Sequence, residues 1–358
     1  MFAGLQAWFR GDPAGGDDVR RLLDGALTYA LPLTRRFRGT EVREGMLLRG
    51  PSGWGEFAPF PEYDAPTSAR WLAAAVEAAY GSWPDPVRTE VPVNAIVPAV
   101  GPEDAAALTR AAVERDGCGT VKVKVAEPGQ SLAEDEARVA AVRAALDQAL
   151  GTADGRIRLD ANGAWPLDVA QSALRVLDRY GLEYVEQPCA TLAEMAELRR
   201  RVPVPLAVDE GIRRAEDPYA VDLSEAADVA VVKVPPLGGV ARALELASHL
   251  PVPVVVSGAL DSSVGLSAGL ALAGALPSLP FACGLGTGAL LAADVVATPV
   301  RPVHGRLPVV RTDPDLEPLL AARGRLSDSR SRWWRRRLSD AWEAGGREAV
   351  GHLVRAAR

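Results

Sequence analysis

The stretch TVKVKV, residues 120–125, decides how this chain is interpreted. Valine and charged residues alternate in it, which is the pattern of a β-strand whose two faces meet different surroundings. The valines are predicted to face helices, while Lys122 and Lys124 point to the opposite face with their α carbons roughly 7 Å apart. In a closed barrel, that opposite face is the interior, where polar groups gather near the rim.

The same arrangement repeats along most of the chain. From about residue 90 onward, short Val/Ala/Leu-rich runs alternate with longer helical patterns, as in repeated β/α units. Capping boxes at Ser131 to Glu134 and Thr191 to Glu194 mark two of the helix starts. The predicted strands end near Val97, Val125, Asp160, Glu186, Asp209, Lys233, Ser257 and Gly284. This spacing predicts a closed α/β barrel with its catalytic groups at the C-terminal strand ends.

Lysine is rare in this chain. Of 40 lysine and arginine residues only three are lysines, Lys122, Lys124 and Lys233, and all three lie in apolar, strand-like runs. A guanidinium stays protonated at any working pH, whereas a lysine amine can become neutral and accept a proton. The three lysines therefore indicate a proton-transfer site. The alternative is that they are edge-strand residues that prevent aggregation.

Three acidic residues, Asp160, Glu186 and Asp209, follow apolar residues at the ends of three successive predicted strands. Neighbouring strands lie about 4.8 Å apart, so the three carboxylates could bind one hard cation such as Mg²⁺ through oxygen. Without a cation, converging carboxylates are expected to raise one another's pKa. The alternative for each aspartate is a helix N-cap, a position that Asp favours.

Length and charge limit the functions that are available. The chain has 358 residues and a mass of 37.7 kDa, enough for one large barrel with a smaller attached domain. A net charge of -6 and a pI near 5.4 argue against nucleic acid as a partner, and no stretch approaches a membrane span. The expected partner is a small molecule. The oligomeric state stays open, and a monomer is compatible with the sequence.

Compartment is predicted from cysteines and from the first residues. Cys118, Cys189 and Cys283 are odd in number and lack metal-ligand spacing, which favours buried thiols in a reducing cytoplasm. The first nine residues lack a basic start and are followed by Arg10, which makes them a poor signal peptide. A cytoplasmic protein is predicted.

Three segments are expected from the change in pattern along the chain. Residues 1–89 are predicted to form a separate α+β cap, with a Gly/Asp-rich segment over Gly11–Asp18, a hairpin over Phe37–Gly53 and a helix from Thr67 to Tyr80. Residues 90–300 are predicted to form the barrel. Residues 301–358 follow a complete barrel and are expected to pack back on the cap, where the arginines and tryptophans of 331–337 suit an amphipathic helix better than a nucleic-acid site.

The ordered set Lys-x-Lys, Asp-x-Asn, Glu-Gln-Pro, Asp-Glu and a further strand-end lysine is similar to the enolase superfamily, muconate-lactonizing enzyme subgroup. The match spans nearly the whole chain. Within the subgroup the chain most resembles dehydratases of menaquinone biosynthesis, through RRFRGT (35–40), GWGEFAP (53–59), VNA (93–95) and GLGTG (284–288). The resemblance implies a modified TIM barrel of (β/α)7β type, with an α+β N-terminal capping domain completed by the C-terminal segment.

The resemblance also implies a reaction and a role for each matching residue. The reaction is Mg²⁺-dependent syn-dehydration of 2-succinyl-6-hydroxy-2,4-cyclohexadiene-1-carboxylate through an enediolate, with Mn²⁺ as a substitute metal. The implied metal ligands are Asp160, Glu186 and Asp209. The implied catalytic residues are Lys124 as the base, Lys233 on the opposite face of the substrate, and Lys122 as the neighbour that tunes Lys124.

Further residues are predicted from their positions. The expected substrate contacts are Arg158, Asn162, Ser257, Gly258, Ser262, Gly286 and Thr287, with Glu210 behind a metal ligand. Loops of small residues present backbone N–H groups to anions, here a succinyl carboxylate, although glycine-rich loops are also ordinary turns.

Two other functions stay open. Racemisation of N-succinylamino acids, or another two-lysine reaction of the superfamily, needs the same metal and both lysines. A catalytically inactive barrel that only binds a metabolite is a different class, but no ligand or lysine of the motif set is missing. His249, His304 and His352 occupy no predicted strand end, which disfavours a histidine base.

Overall fold

The structure, a computed structural model, describes residues 16–37 and 39–356. Arg38 and most of the predicted Gly11–Asp18 segment lie outside the described residues.

The first segment is a three-stranded antiparallel sheet with helices. Its elements are α1 (Gly16–Asp24), β1 (Ala26–Phe37), β2 (Thr40–Gly50), β3 (Gly53–Phe57) and α2 (Ala65–Tyr80), with strand order β1-β2-β3. The predicted hairpin is therefore β2 with a turn at each end. Helix α2 lies against this sheet at very short range, because a Cβ at Gly55 would be 1.9 Å from the Ala75 carbonyl oxygen. Only glycine fits there.

The central segment contains the parallel strands and their helices. The strands are β4 (Glu90–Pro92), β5 (Ala95–Val97), β6 (Thr120–Lys124), β7 (Arg156–Asp160), β8 (Leu182–Glu186), β9 (Leu206–Val208), β10 (Val229–Val232) and β11 (Val254–Val256). The helices are α3 (Pro102–Glu114), α4 (Leu132–Leu150), α5 (Leu167–Leu177), α6 (Leu192–Arg199), α7 (Glu210–Arg213), α8 (Val234–Leu237), α9 (Val240–His249) and α10 (Ser263–Ala275). Single 3₁₀ turns cover Asp178–Tyr180, Pro218–Ala220 and Gly286–Leu290.

Strands β5 to β11 form one parallel sheet in chain order, and the sheet closes on itself. Closure uses parallel bridges from Cys283 to Val93 and from Gly284 to Ser257. The eighth predicted strand is thus reduced to two bridge pairs, but it occupies the position that completes the barrel. The prediction of a modified TIM barrel with an N-terminal cap is confirmed.

Side-chain alternation separates the barrel wall into two faces. Val121 and Val123 are fully buried against the helices, as the alternation in 120–125 predicts. Inside the barrel, an apolar cluster fills the end away from the strand C-termini, made by Tyr184, Ala207, Val229, Val231, Val255 and Phe281. Both predicted capping boxes are present, Ser131 with Glu134 and Thr191 with Glu194, and they begin α4 and α6.

The last segment begins under the barrel and ends on the first segment. Its elements are β12 (Arg306–Pro308), which pairs antiparallel with β4, and the helices α11 (Leu316–Gly324), α12 (Asp328–Ala341) and α13 (Arg347–Ala356), with a kink over Trp342–Gly346. Trp334 of α12 is fully buried beside Phe57, and its indole N–H donates to Glu44.

The domain boundaries near residues 90 and 300 stay predictions. None of the helices within 16–356 is long and apolar enough to cross a membrane.

Two buried glutamates join the cap to the barrel, and each binds the N-terminus of a barrel helix. Glu56 of β3 accepts hydrogen bonds from the backbone N–H and the hydroxyl of Ser262, at the start of α10. Glu77 of α2 accepts from the N–H groups of Val240, at 2.5 Å, and Ala241, at 3.0 Å, at the start of α9. A helix N-terminus carries unpaired N–H groups and a partial positive charge, so both contacts suit a carboxylate.

Candidate active site

A cavity lies at the C-terminal ends of the barrel strands, under the cap. Its walls are formed by Phe37, Phe60, Asn94, Ile96, Lys122, Lys124, Asp160, Asn162, Lys233, Ser257, Gly258, Ala259, Leu260, Gly284, Gly286 and Thr287. The first two belong to the cap segment and the others to the barrel. The three lysines therefore lie at one site.

Lys122 is paired with two of the strand-end carboxylates. Its ammonium group donates to Glu186 Oε2 at 2.9 Å and lies 3.3 Å from Asp160 Oδ2. All three side chains are buried. A buried ion pair repays its desolvation only when its geometry is good and its polar atoms are hydrogen-bonded, and here one ammonium group bridges two acids.

Lys124 lies two residues further along the same strand and on the same face. Its ammonium group donates to Asp160 Oδ2 at 2.5 Å and to Asn162 Oδ1 at 2.7 Å. It also lies 5.6 Å from the centre of the Phe37 ring. The amine is thus at the cavity surface, between a strand-end acid and an aromatic ring of the cap.

Lys233 lies across the barrel from Lys124. Lys124 is on the second barrel strand, and Lys233 directly follows the sixth, so four of eight strand positions separate them. Strands four positions apart in a closed eight-position barrel are diametrically opposed. Lys233 donates to Asp209 Oδ2 at 2.6 Å. The cavity therefore has one amine on each side.

The surroundings shift the pKa values of Lys122 and Lys124 in opposite directions. Burial lowers the pKa of Lys124, and the ammonium group of Lys122 lowers it further, which together outweigh the Asp160 carboxylate. Burial also acts to lower the pKa of Lys122, but Glu186 and Asp160 outweigh it and the net pKa is raised. Lys124 is thus the more readily neutral amine of the pair, and only a neutral amine can accept a proton.

The carboxylates do not all behave as the sequence predicts. Burial and the charge of Asp160 raise the pKa of Glu186, as expected for converging acids. Burial acts in the same direction on Asp160 and Asp209, but Lys124 and Lys122 on the first, and Lys233 and Arg213 on the second, hold these pKa values below the ordinary range. The expectation of a common upward shift is wrong, because it did not include the lysines as partners.

The three strand-end acids contact lysine ammonium groups. Among the described residues, no three acidic, His or Cys side chains are gathered into a ready-made metal site. Glu186 Oε1, however, is buried and has no hydrogen-bond partner within 16–37 and 39–356. Carboxylate oxygens at three successive strand ends are also the donors that hard divalent cations prefer. The residues therefore fit such an ion.

A chain of hydrogen bonds connects Lys124 with the cap. Asn162 accepts from Lys124 and donates to Glu210 Oε1 at 3.0 Å, and Arg213 donates to the same Glu210 oxygen at 2.5 Å. Arg213 also donates to the Tyr63 hydroxyl at 2.8 Å and to Asp209 Oδ1 at 3.0 Å. Glu210 thus lies behind the site, where the sequence places it, and Arg213 contacts both acids and a cap residue.

Most predicted substrate contacts line the cavity, namely Asn162, Ser257, Gly258, Gly286 and Thr287. The N–H of Gly258 does not serve an anion, because it donates to the Gly284 carbonyl in the barrel closure. Ser262 does not line the cavity, because its N–H and hydroxyl bind Glu56.

Arg158 also lies outside the cavity, contrary to the prediction. It is two residues before its strand end, hence roughly 7 Å deeper in the barrel. There its guanidinium donates to Glu183, Asn94 and the Ala282 carbonyl and lies 4.6 Å from the centre of the Tyr184 ring. Its contacts are those of a buried structural residue.

Sequence reasoning missed several residues of the site. Phe37, Phe60, Asn94, Ile96 and Leu260 line the cavity. Gln187 accepts hydrogen bonds from the N–H groups of Asp209, at 3.0 Å, and Gly211, at 3.1 Å, and so positions a strand-end acid. Gln187 belongs to the Glu-Gln-Pro motif, Phe37 to RRFRGT (35–40) and Asn94 to VNA (93–95), so the sequence carried a signal for these three residues.

His249 and His304 do not line the cavity. His249 ends α9 and His304 lies in a turn before β12. The side chain of His352 lies outside those that the structure describes. Cys118, Cys189 and Cys283 are buried free thiols.

Comparison with known proteins identifies the family. Residues 104–314 match the enolase C-terminal domain-like family and residues 28–79 the enolase N-terminal domain-like family. An o-succinylbenzoate synthase of Thermobifida fusca (strain YX) is 58% identical over 312 residues, which cover 85% of this chain and 96% of the relative. An o-succinylbenzoate synthase of Mycobacterium tuberculosis (strain ATCC 25177 / H37Ra) is 51% identical over 317 residues, 88% of this chain and 93% of the relative.

Solved structures show the same fold. Muconate lactonizing enzyme from Pseudomonas fluorescens, solved with muconolactone, superposes with a TM-score of 0.69 at 21% identity, over 83% of this chain and 97% of that one. N-succinyl Arg/Lys racemase from Bacillus cereus superposes with a TM-score of 0.67 at 20% identity, over 83% and 96%. Enzymes of this superfamily generally use a divalent metal ion. The chain belongs to the enolase superfamily and, within it, to the o-succinylbenzoate synthase family of lyases.

Proposed function

We propose that this enzyme catalyses the syn-dehydration of 2-succinyl-6-hydroxy-2,4-cyclohexadiene-1-carboxylate to o-succinylbenzoate. The observation that carries the proposal is the pair of opposed amines, Lys124 and Lys233, beside three strand-end acids, in a chain 58% identical to an o-succinylbenzoate synthase. The place of this reaction in menaquinone biosynthesis and a cytoplasmic location belong to the same proposal.

Lys124 is the proposed base. Burial and Lys122 favour its neutral form, and its amine borders the cavity. It takes the proton next to the ring carboxylate, and the electron pair left behind is held as the enediolate. That pair then forms a carbon–carbon double bond as the C6–O bond breaks. The departing hydroxyl takes the same proton from Lys124 and leaves as water. One group serves both steps because a syn-elimination places proton and hydroxyl on one face.

Lys233 is the proposed electrostatic partner. As a cation on the far side of the cavity it stabilises the enediolate, and it needs no proton exchange for this. Lys122 keeps its proton because of Glu186 and Asp160, and it holds those acids in place.

The proposed metal is Mg²⁺, with Asp160, Glu186 and Asp209 as its ligands. When bound, such an ion supplies positive charge that stabilises a substrate carboxylate as it gains electron density. Gln187 and Arg213 orient Asp209 for this role through hydrogen bonds to its backbone N–H and its carboxylate.

The far end of the cavity is the proposed site for the succinyl carboxylate. The Thr287 hydroxyl lines the cavity, is buried, and has no hydrogen-bond partner among the described residues. A buried hydroxyl without a partner loses free energy that a ligand can restore. Thr287 is therefore proposed as a donor to the substrate.

Racemisation of N-succinylamino acids is the second candidate, because the same opposed lysines could remove and return a proton from opposite faces. The deciding experiment gives the Mg²⁺-loaded enzyme the cyclohexadiene carboxylate and, separately, both enantiomers of an N-succinylamino acid in D₂O. Dehydration should be much faster than deuterium incorporation into either enantiomer. Rapid racemisation with little dehydration would refute the first choice, and Lys124→Arg should abolish whichever reaction is real.

A further inference from the structure

The loop between β11 and α10, residues 257–262, forms one wall of the cavity through Ser257, Gly258, Ala259 and Leu260. Its backbone is strained. Leu260 has a φ of +64°, in the left-handed region that bulky side chains seldom adopt. Such a conformation persists only where the surroundings hold it.

Arg43 of the cap strand β2 holds the strained residue. Its Nε donates to the Leu260 carbonyl oxygen at 3.0 Å, and a terminal nitrogen donates to the carbonyl of Ala58. The guanidinium lies 4.5 Å from the centre of the Phe60 ring, which also lines the cavity. Arg43 is only 2% exposed, so these contacts are made in a dry interior.

The Leu260 side chain contributes to the cavity wall. While its carbonyl binds Arg43, the side chain packs with Phe37 and Leu290. Within the loop, the Asp261 carboxylate accepts the Ala259 N–H at 2.8 Å, which folds the segment back on itself. A change at Leu260 would therefore move the wall.

Glu56 of β3 holds the other end of the loop. It accepts the Ser262 N–H at 3.2 Å and also the Ser262 hydroxyl. Helix α10 leaves room for this carboxylate only because residue 265 is glycine, since a Cβ there would be 2.4 Å from Glu56 Oε1. The loop is thus held at two points by neighbouring strands of the cap, although it belongs to the barrel.

We propose that Arg43 and Glu56 are positioning residues that fix the 257–262 loop in the shape that receives the succinyl end of the substrate. The assignment of that end rests on the proposed function, because the lysines and strand-end acids take the ring carboxylate and leave this wall for the second one. The cap would then set specificity through its strands as well as through the residues that reach into the cavity.

The test compares Arg43→Lys with wild type. Lysine keeps the charge but cannot offer the fixed fork of donors that reaches both carbonyls. KM for the cyclohexadiene carboxylate is expected to rise about tenfold while kcat stays within about threefold, which indicates lost binding rather than lost chemistry. Arg335→Lys is the matched control, because Arg335 also donates to cap carbonyls, those of Leu23 and Ala26, and neither of these residues lines the cavity.

Calorimetry on the Mg²⁺-loaded enzyme supplies a second readout. Two probes are used, o-succinylbenzoate and 2-propanoylbenzoate, which lacks the terminal carboxylate. Arg43→Lys should weaken binding of the first about tenfold and leave binding of the second unchanged. Equal loss for both probes, no loss for either, or a fall in kcat at constant KM would overturn the proposal.

Two further outcomes are distinguishable. If Arg43→Lys does not fold, Ser262→Ala replaces it, since that change removes one hydrogen bond to Glu56, and it must shift the same probe ratio in the same direction for the proposal to stand. If wild type racemises N-succinylamino acids and does not dehydrate, the proposed function fails, but the two-probe comparison still decides whether Arg43 positions the loop.

Discussion

Lys124 and Asp160 lie directly opposite each other on the neighbouring parallel strands β6 and β7, and the lysine ammonium group contacts Asp160 Oδ2 at 2.5 Å. The proposed base and a proposed metal ligand are therefore direct neighbours. Positive charge at the three acids would compete with the ammonium form of Lys124 and favour the neutral amine. The arrangement links metal binding to the fraction of Lys124 that is neutral and can accept a proton.

Replacing Lys124 with arginine should abolish turnover. Arginine keeps the positive charge, but its guanidinium stays protonated and cannot accept a proton. We therefore expect kcat to fall about a thousandfold or more. Far-UV circular dichroism and the thermal unfolding midpoint should stay close to wild type, because the change keeps the cation that pairs with Asp160. Near-normal dehydration by a folded Lys124→Arg enzyme would contradict the assignment of the base.

Metal removal should inactivate the enzyme reversibly. Protein treated with EDTA is expected to lose dehydration and to regain it with Mg²⁺ or Mn²⁺. Glu186→Gln should weaken Mg²⁺ binding about tenfold or more in calorimetry, because an amide is a poorer ligand for a hard cation than a carboxylate. Asp222→Asn, which changes an exposed loop acid, is the control. Full activity without metal would count against the three acids as ligands.

Stability should fall as pH rises from about 4.5 to about 7, in part because of Glu77. Burial raises the pKa of Glu77 from 4.5 to about 7, against the hydrogen bonds from Ala241 and Val240. Between these values the folded state binds more protons than the unfolded state, so the free energy of unfolding decreases as pH rises. The loss is about 3 kcal/mol between about pH 4.5 and 7, with little further change above.

The measurement is urea unfolding at pH 5, 6, 7 and 8 for wild type and Glu77→Gln. Trp83 and Arg311 are the other side chains that act on Glu77, and neither titrates in this range. Glu56, whose pKa burial and Asp261 raise to about 7, has the same sign and should leave a residual slope in the variant. An unchanged slope in Glu77→Gln would show that its carboxyl group does not titrate as described.

Tyr63→Phe tests the hydrogen-bonded chain from the cap to Lys124. The change removes only the hydroxyl that accepts from Arg213, and a hydrogen bond to a charged group contributes about 1.5–3 kcal/mol. We expect a lower free energy of unfolding by about that amount and a modest fall in kcat, because Arg213 also holds Asp209 and Glu210. Tyr219→Phe, which removes a surface hydroxyl bonded to Glu245, is the control for activity and should leave kcat unchanged.

Much of the fold and part of the site could be predicted because the signals are local. Alternation in 120–125 identifies a strand and its two faces, and the position of Asp160 or Glu186 at the end of an apolar run predicts the rim of a barrel. Arg158 shows where this reasoning fails. Alternation assigns Arg158 to the interior correctly but does not give its depth. Because Arg158 is two positions before the strand end, it lies below the cavity, where it donates to Glu183 and Asn94.

By itself the sequence determined the barrel, the shared face of Lys122 and Lys124, and the three strand-end acids, because strand succession and side-chain alternation follow from neighbouring residues. The opposed position of Lys233 was implied by the resemblance of its motifs to the superfamily. Only the tertiary structure decided which lysine pairs with which acid, and hence that Lys124 has the lowered pKa and Lys122 the raised one. Tertiary structure also decided that Arg43 holds Leu260, across 217 positions of sequence. Pairing and burial depend on residues that are distant along the chain, so they cannot be predicted from a local sequence pattern.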